Sequence, residues 1–442
     1  MKHITIQTRI GSFTGNEREH CQEFLGIPYS KAERFEYATL IDSYGECDAT
    51  KKGPASMQKR AWAEFEHLEI PERAFYHKEF RQNIEFTYDE GTLRLNLYRP
   101  KGEGRFPVIV YFHGGGFDSG SINESPFDGE GLSKRGCLVI FASYRVGVFG
   151  YFAHEEIQKK NGRDGNFGLD DMAKALEWVK KNVECFGGDA NNITVMGQSA
   201  GAMSIQYLLT SKKADGLFDK AIMMSGAGLF PKFSLPKPSS KTRAYWLEVM
   251  EIAGCKTFEE IQKLPAKDLL AAVEVQKGKR KDNTYNTMPV IDGYLLEESI
   301  DQGIKHSREL PLIIGYTNND MFTFLLAHIA KKYAKKHGAY LYYFDIDAKG
   351  DDNQAFHSAD LRYAFGTLGD SWRPYDENDR KASELMMDYF AHFALTGDPN
   401  HEGAPRWEKY KNKPLCFRDG ETKMGKDQTL KLLKNTLKGD PK

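Results

Sequence analysis

Cysteine pairing is the first thing missing from this 442-residue chain: its six cysteines are scattered from Cys21 to Cys416 with no C-x-x-C among them. That spacing forms neither a zinc ribbon nor a disulfide framework, so the thiols read as small buried hydrophobes. An excess of one charge is missing too, since 61 Lys and Arg face 62 Asp and Glu for a net charge of −1. Such a balance gives no long-range field to recruit nucleic acid or an anionic membrane. No apolar run approaches the roughly 18 residues of a membrane-spanning helix; the longest, such as FPVIVYF at 106–112, are strand-sized. The opening MKHITIQTRIGSF alternates like a strand and lacks the apolar centre of a signal peptide, which predicts an unexported, cytoplasmic protein. HEEIQ at His154 lacks the second histidine of a zinc-protease helix, and no phosphate-binding G-x-x-x-x-G-K-[ST] loop is present. No metal or cofactor is expected.

What is present is patterned. With 40% hydrophobic residues the chain can build a large core. Strand-like runs (LRLNLYR, FPVIVYF, LVIFASY, NITVMG, KAIMMSG) alternate with helical stretches such as Asp170 to Glu184, where Met172, Leu176, Val179 and Val183 recur at helical spacing. Alternation of this kind predicts an α/β protein with a mostly parallel sheet and helices on both faces. ITIQTRIGSFTG and CQEFLGIPYS form an antiparallel lead-in, and LPLIIGYT and AYLYYFDI resume the sheet. Between them lie helical segments without a strand, and such an insertion tends to cover the strands' C-terminal ends. The expectation is one domain over 1–442 with reduced helical cap insertions at about 230–288 and 321–340. The basic runs around Lys277 and Lys331 lack interleaved aromatics and read as solvated faces.

One stretch carries chemistry. In NITVMGQSAGAMSIQYLL a strand runs into a helix through Gly197-Gln198-Ser199-Ala200-Gly201. A serine on so tight a turn has its hydroxyl lifted from the sheet, beside the first N–H groups of the helix. A serine attacks a carbonyl only when a base takes its proton and donors stabilise the oxyanion. Donors are offered by Phe112-His113-Gly114-Gly115-Gly116-Phe117, a glycine loop directly after a strand. The N–H groups of Gly115, Gly116 and Ala200 are therefore the expected oxyanion hole, and His113 shapes the loop. Downstream, LPLIIGYTNND ends an apolar strand in polar residues, where a sheet-end acid belongs, and His357 follows the strand LYYFDI through a polar loop. His357 is the best-placed base.

With these blocks assembled the chain resembles the type-B carboxylesterases over nearly its whole length. FGGDANNITVMGQSAG, GNFGLDDMAKALEWVKKNV, FLGIPYS, LRLNLYRP, HGGGF, SYRVGVFGY, PVIDG and FALTGDPN all stand in that family's order. The resemblance implies an α/β-hydrolase fold and a Ser199, His357 and Asp320 triad working without metal or cofactor. It also implies that Ser225 supports the acid, and that Phe117, Phe322 and Phe365 line the pockets for a small-molecule ester. The implied activity is serine ester hydrolysis through an acyl-enzyme, with apolar esters of small to medium size as substrates. Departures from the family pattern are the Asp at 320 for the usual Glu, Met321 for glycine, Gln198 for a frequent Glu, and a short stretch from Asp320 to His357. Ser56 and Thr92 occupy the positions of the family's frequent disulfide. A catalytically silent binding protein of this fold, or an amidase, thioesterase or lactone hydrolase with the same residues, remains an alternative. The chain is expected to act as a monomer or small homo-oligomer, with no nucleic-acid or membrane partner.

Overall fold

A computed structural model of the chain describes residues 2–60, 71–228, 236–279, 286–320 and 323–428. In chain order, the strands along its main sheet are β1 (Lys2–Thr8), β2 (Gly11–Glu17), β3 (Cys21–Lys31), β4 (Thr92–Pro100), β5 (Phe106–Phe112) and β6 (Leu138–Ala142). They continue with β7 (Gly188–Gln198), β8 (Lys220–Met224), β9 (Leu312–Thr317), β10 (Tyr340–Asp345), β11 (Leu415–Arg418) and β12 (Glu421–Met424). Among the helices around the sheet are α1 (Pro71–Phe80), α2 (Phe167–Asn182), α3 (Ala200–Thr210), α4 (Ser239–Ile252), α5 (Phe258–Lys263), α6 (Ala266–Lys279), α7 (Thr323–His337) and α8 (Glu377–Thr396).

The sheet runs in the order β1-β2-β3-β4-β6-β5-β7-β8-β9-β10-β11-β12, and two short strands at its margin bring it to 14. From β6 through β5 to β11 every pairing is parallel. The flanks are antiparallel, and β4, which belongs to the alternating series in sequence, pairs antiparallel with both β3 and β6. All residues of β5 after Phe106 are buried. Val108, Val110 and Phe112 enter one apolar layer with α2, α3 and α7, whereas Ile109 and Tyr111 enter a second layer with α8. A strand with no polar face has to be covered on both sides, and this one is.

The ends of α8 follow its sequence. Asp376 and Asp379 form a reciprocal capping box at the start of α8, and Gly397 closes it in the left-handed conformation with φ +83°. α4, α5 and α6 gather on a third apolar cluster around Phe149, Phe152 and Trp246, above the segment that follows β6. α7 lies against β9 and β10 as the crossover between them, with Leu326, Ala330 and Ala334 turned into the first layer. Lys277, read from sequence as part of a solvated face, is half-buried and pairs with Asp118 at 2.7 Å, while Lys279 beside it is exposed.

An ion pair ties the segment after β6 to α2. The Arg145 guanidinium donates to both oxygens of Asp171 at 2.8 and 2.7 Å, and the Arg145 N–H adds a third bond at 3.0 Å. The two side chains are 2% and 0% exposed. Removing one partner of such a pair leaves an uncompensated buried charge. Asp171→Ala is therefore expected to lower unfolding free energy by about 3–5 kcal/mol in denaturant titrations. The double change Arg145→Met with Asp171→Leu should cost less than that single change.

Candidate active site

The C-terminal ends of β5, β7, β8, β9 and β10 lie side by side, and the polar residues that follow them converge. Ser199 is the single residue between β7 and α3, with φ +53° and ψ −123°. This is a strained region for a residue with a Cβ, and it turns the side chain out of both elements. Its N–H is held by the Met224 carbonyl of β8 at 2.9 Å, and its carbonyl accepts from Met203 at 2.9 Å. Gly201, one residue into the helix, packs on the end of β5; a Cβ there would overlap the carbonyl oxygens of Phe112 and His113. The helix start and the glycine loop can approach this closely only because that position is bare.

The glycine loop is held from below. His113 is fully buried, stacked on Tyr144 at 4.4 Å with its Nδ1 2.7 Å from the Gly114 carbonyl. Burial pushes its imidazole down to about 4, against the pull of that carbonyl, so it is uncharged at neutral pH. The Tyr144 hydroxyl donates to the His113 carbonyl at 2.7 Å. Gly115 has φ +114°, where a Cβ would run into the Ser119 carbonyl. Among the described residues, the N–H groups of Gly115, Gly116 and Ala200 donate to no backbone carbonyl. Unengaged donors of this kind are what a developing oxyanion needs.

Asp320 and His357 meet as the sequence suggests. The Nδ1 of His357 is hydrogen-bonded to Oδ1 of Asp320, whose Oδ2 accepts from the Ser225 hydroxyl at 2.6 Å and the Thr317 N–H at 3.0 Å. Burial by itself would raise the Asp320 carboxyl; the His357 ring, Ser225 and Thr317 outweigh it and hold the group below its ordinary value. The Asn319 N–H donates to the Ala355 carbonyl at 2.9 Å, which pins the acid's loop to the histidine's. Asp320 is one methylene shorter than glutamate, yet it reaches the ring directly.

Three more side chains stand near this centre: Gln198, which the sequence marked only as a departure from the family pattern, and Asp360 and Asp118, to which sequence reasoning gave no role. Gln198 places its amide nitrogen 3.1 Å from Nε2 of His357 and 2.9 Å from the Ser358 hydroxyl. Asp360 is fully buried, accepts from the Tyr342 hydroxyl at 2.6 Å, and leaves its other oxygen without a partner among the described residues. Burial, reinforced by repulsion from Asp320 and opposed by the Tyr342 hydrogen bond and the His357 ring, pushes the Asp360 carboxyl up to about 6. Asp118, next to the expected pocket residue Phe117, carries the bond from Lys277 of α6 to the glycine loop. The sequence signal for Asp360 and Asp118 was proximity to the motifs.

The aromatic pocket residues fare differently. Phe117 is buried between Tyr151 at 5.6 Å and Tyr207 at 6.5 Å, beneath the glycine loop. Phe365 is 1% exposed and sits among Tyr111, Phe127 and Phe141 in the second apolar layer. It fills core space, as aromatic residues near strand ends commonly do. Phe322 lies outside the described residues. No helix among the described residues is long and apolar enough to cross a membrane.

Comparison with known proteins agrees with this picture. The profile of the carboxylesterase family matches residues 2–337 and 321–434. The chain is 28% identical to the para-nitrobenzyl esterase of Bacillus subtilis (strain 168), with 93% of each chain covered. It is 30% identical to carboxylesterase 5A of Felis catus over 73% of this chain and 72% of that one. Among solved structures, a thermophilic PNB esterase superposes with a TM-score of 0.84 at 24% identity, covering 98% of this chain and 99% of the other. A second PNB esterase structure also has a TM-score of 0.84, at full coverage of both chains. These likenesses identify the α/β-hydrolase fold.

The two buried carboxyls make opposite contributions to stability with pH. Asp320, whose folded value is depressed, stabilises the fold above its ordinary value of 3.8 and loses that contribution as pH falls below it. Asp360, raised from 3.8 to about 6, favours the fold at low pH and costs it roughly 3 kcal/mol as pH rises through that interval. Asp360→Asn, which removes the second titration, is expected to flatten the decline in unfolding free energy between pH 4 and 7, measured by denaturant titration at each pH.

Proposed function

The chain belongs to the carboxylesterase family and is a carboxylic ester hydrolase, and from that premise we propose that Ser199, His357 and Asp320 carry out its chemistry on small to medium apolar esters. The observation that carries this reading is the relay from Ser225 through Asp320 to Nδ1 of His357, whose Nε2 lies against Gln198, the residue before Ser199 on its strained turn. An ionised Asp320 keeps the proton on Nδ1, so that Nε2 presents a lone pair. Nε2 takes the Ser199 proton as Oγ bonds to the ester carbonyl carbon. The carbonyl oxygen becomes an oxyanion within reach of the Gly115, Gly116 and Ala200 N–H groups, each worth on the order of 10²–10³ in rate. Collapse of the tetrahedral adduct breaks the carbon–oxygen bond to the alcohol, which leaves with the proton from Nε2. Water then repeats the sequence on the acyl-enzyme, returning Ser199 and releasing the acid.

An uncharged amide at Gln198, adjoining the nucleophile, supports a preference for uncharged esters over cationic ones. Helices α4 to α6, with Lys277 bonded to Asp118 of the glycine loop, support a reading of one domain with a reduced helical cover. All six cysteines are free thiols, which suits a reducing compartment such as the cytoplasm. A small-molecule ester is the proposed partner, with the protein acting as a monomer or small homo-oligomer.

Hydrolysis of p-nitrophenyl esters from acetate to octanoate tests this directly. Ser199→Ala should lower kcat by roughly 10⁵–10⁶ with a melting temperature close to wild type, and Asp320→Asn should lower kcat by about 10⁴. Full turnover in Ser199→Ala would remove the serine from the mechanism. The chain-length profile of the wild type measures the acyl pocket.

A further inference from the structure

Gln198 is the last residue of β7, and its buried side chain touches three separate parts of the site. Its amide nitrogen lies 3.1 Å from Nε2 of His357 and 2.9 Å from the Ser358 hydroxyl. Its amide oxygen faces the glycine loop at Gly114. Ser358 itself is held at φ +83°, in the left-handed region where a side chain is strained. Because Asp320 engages Nδ1, a neutral His357 has only a lone pair at Nε2, and an amide N–H pointing at that atom is a donor to it. Hydrogen bonding to the neutral form of a titratable group favours that form. Among the described residues, the charged or titratable groups around the ring are Asp320 at Nδ1, Asp360 three residues further on, and Tyr342 and Tyr76, each within electrostatic reach of Asp320. On the Nε2 side, the hydrogen-bonding neighbour is the uncharged amide.

We infer that Gln198 is a positioning residue for ester hydrolysis: it holds the His357 ring from the side opposite Asp320 by donating its amide N–H to Nε2. The inference rests on the proposed role of His357. The ring is thereby fixed at both nitrogens, one by an anion that supplies orientation and one by a neutral donor that supplies no charge. The donor is weak enough to be exchanged for the Ser199 hydroxyl when substrate enters, as catalytic hydrogen bonds that tighten only in the complex require.

Glu is nearly the same shape as Gln, so Gln198→Glu places a carboxylate against Nε2 and favours the protonated ring. The acid limb of its kcat/KM profile with p-nitrophenyl butyrate is expected to move up by about one pH unit or more, with roughly tenfold lower activity at pH 6. Gln198→Met keeps the bulk and removes the donor; kcat should fall about tenfold with KM unchanged. The pH at which the His357 ring signals titrate, followed by NMR on histidine-labelled protein, should rise in Gln198→Glu whether or not the protein turns over that ester. A Gln198→Glu protein whose pH profile and ring titration superpose on wild type overturns the inference. Should that variant not fold, Gln198→Met decides: unchanged kcat, or a loss confined to KM, overturns it as well. Full activity in Ser199→Ala would instead strike the proposed mechanism, so the two failures are told apart.

Discussion

Three stretches of backbone meet around Ser199 at distances that leave no room for a side chain, and the rest of the site is built on that meeting. The start of α3 touches the end of β5 through Gly201, while β8 holds the Ser199 N–H from the other side. A serine at φ +53° is costly in isolation, by about 1–3 kcal/mol for such strained positions. It persists because the neighbouring strands determine the path of the chain before and after it. The same closeness brings the unengaged N–H groups of the glycine loop beside the serine. From the loop the support passes through Tyr144 and Arg145 to Asp171, so the geometry of the turn is anchored in the buried face of α2.

Electrostatically the site separates two carboxyls that lie close together. Asp320 collects a ring nitrogen, a hydroxyl and a backbone N–H, and these donors favour its anion. Asp360 has the Tyr342 hydroxyl and little else, so burial governs it and its proton stays on to a higher pH. Two anions in one apolar setting would repel, and unequal numbers of donors resolve the conflict in favour of the one that faces the histidine.

Much of this was legible in the sequence, for physical reasons. Runs such as FPVIVYF have no polar face, so only a strand covered on both sides accommodates them, and the helical spacing from Asp170 onward has one natural reading. The glycine-flanked Ser199, the glycine loop and His357 stood out because tight turns and close backbone approach restrict residue choice. What was not legible depends on contacts between distant segments. Whether β4 ran parallel or antiparallel is decided by its neighbours β3 and β6. Phe365 resembles a pocket residue in sequence and is a core residue in space. Lys277 belongs to a basic run, yet its partner, Asp118, lies in the glycine loop far earlier in the chain. Gln198 was visible as a departure from a pattern, but its reach to Nε2 of His357 needs coordinates.

The parts of the site enter the chain in a long succession: the glycine loop near residue 115, the serine at 199, the acid at 320 and the histidine at 357. Each arrives on its own parallel strand, and parallel pairing closes large loops before any contact repays the lost entropy. During synthesis, then, Ser199 emerges well before His357, its proposed base, has left the ribosome. On the proposed mechanism a half-made chain lacks its base, and catalytic competence marks the completion of folding.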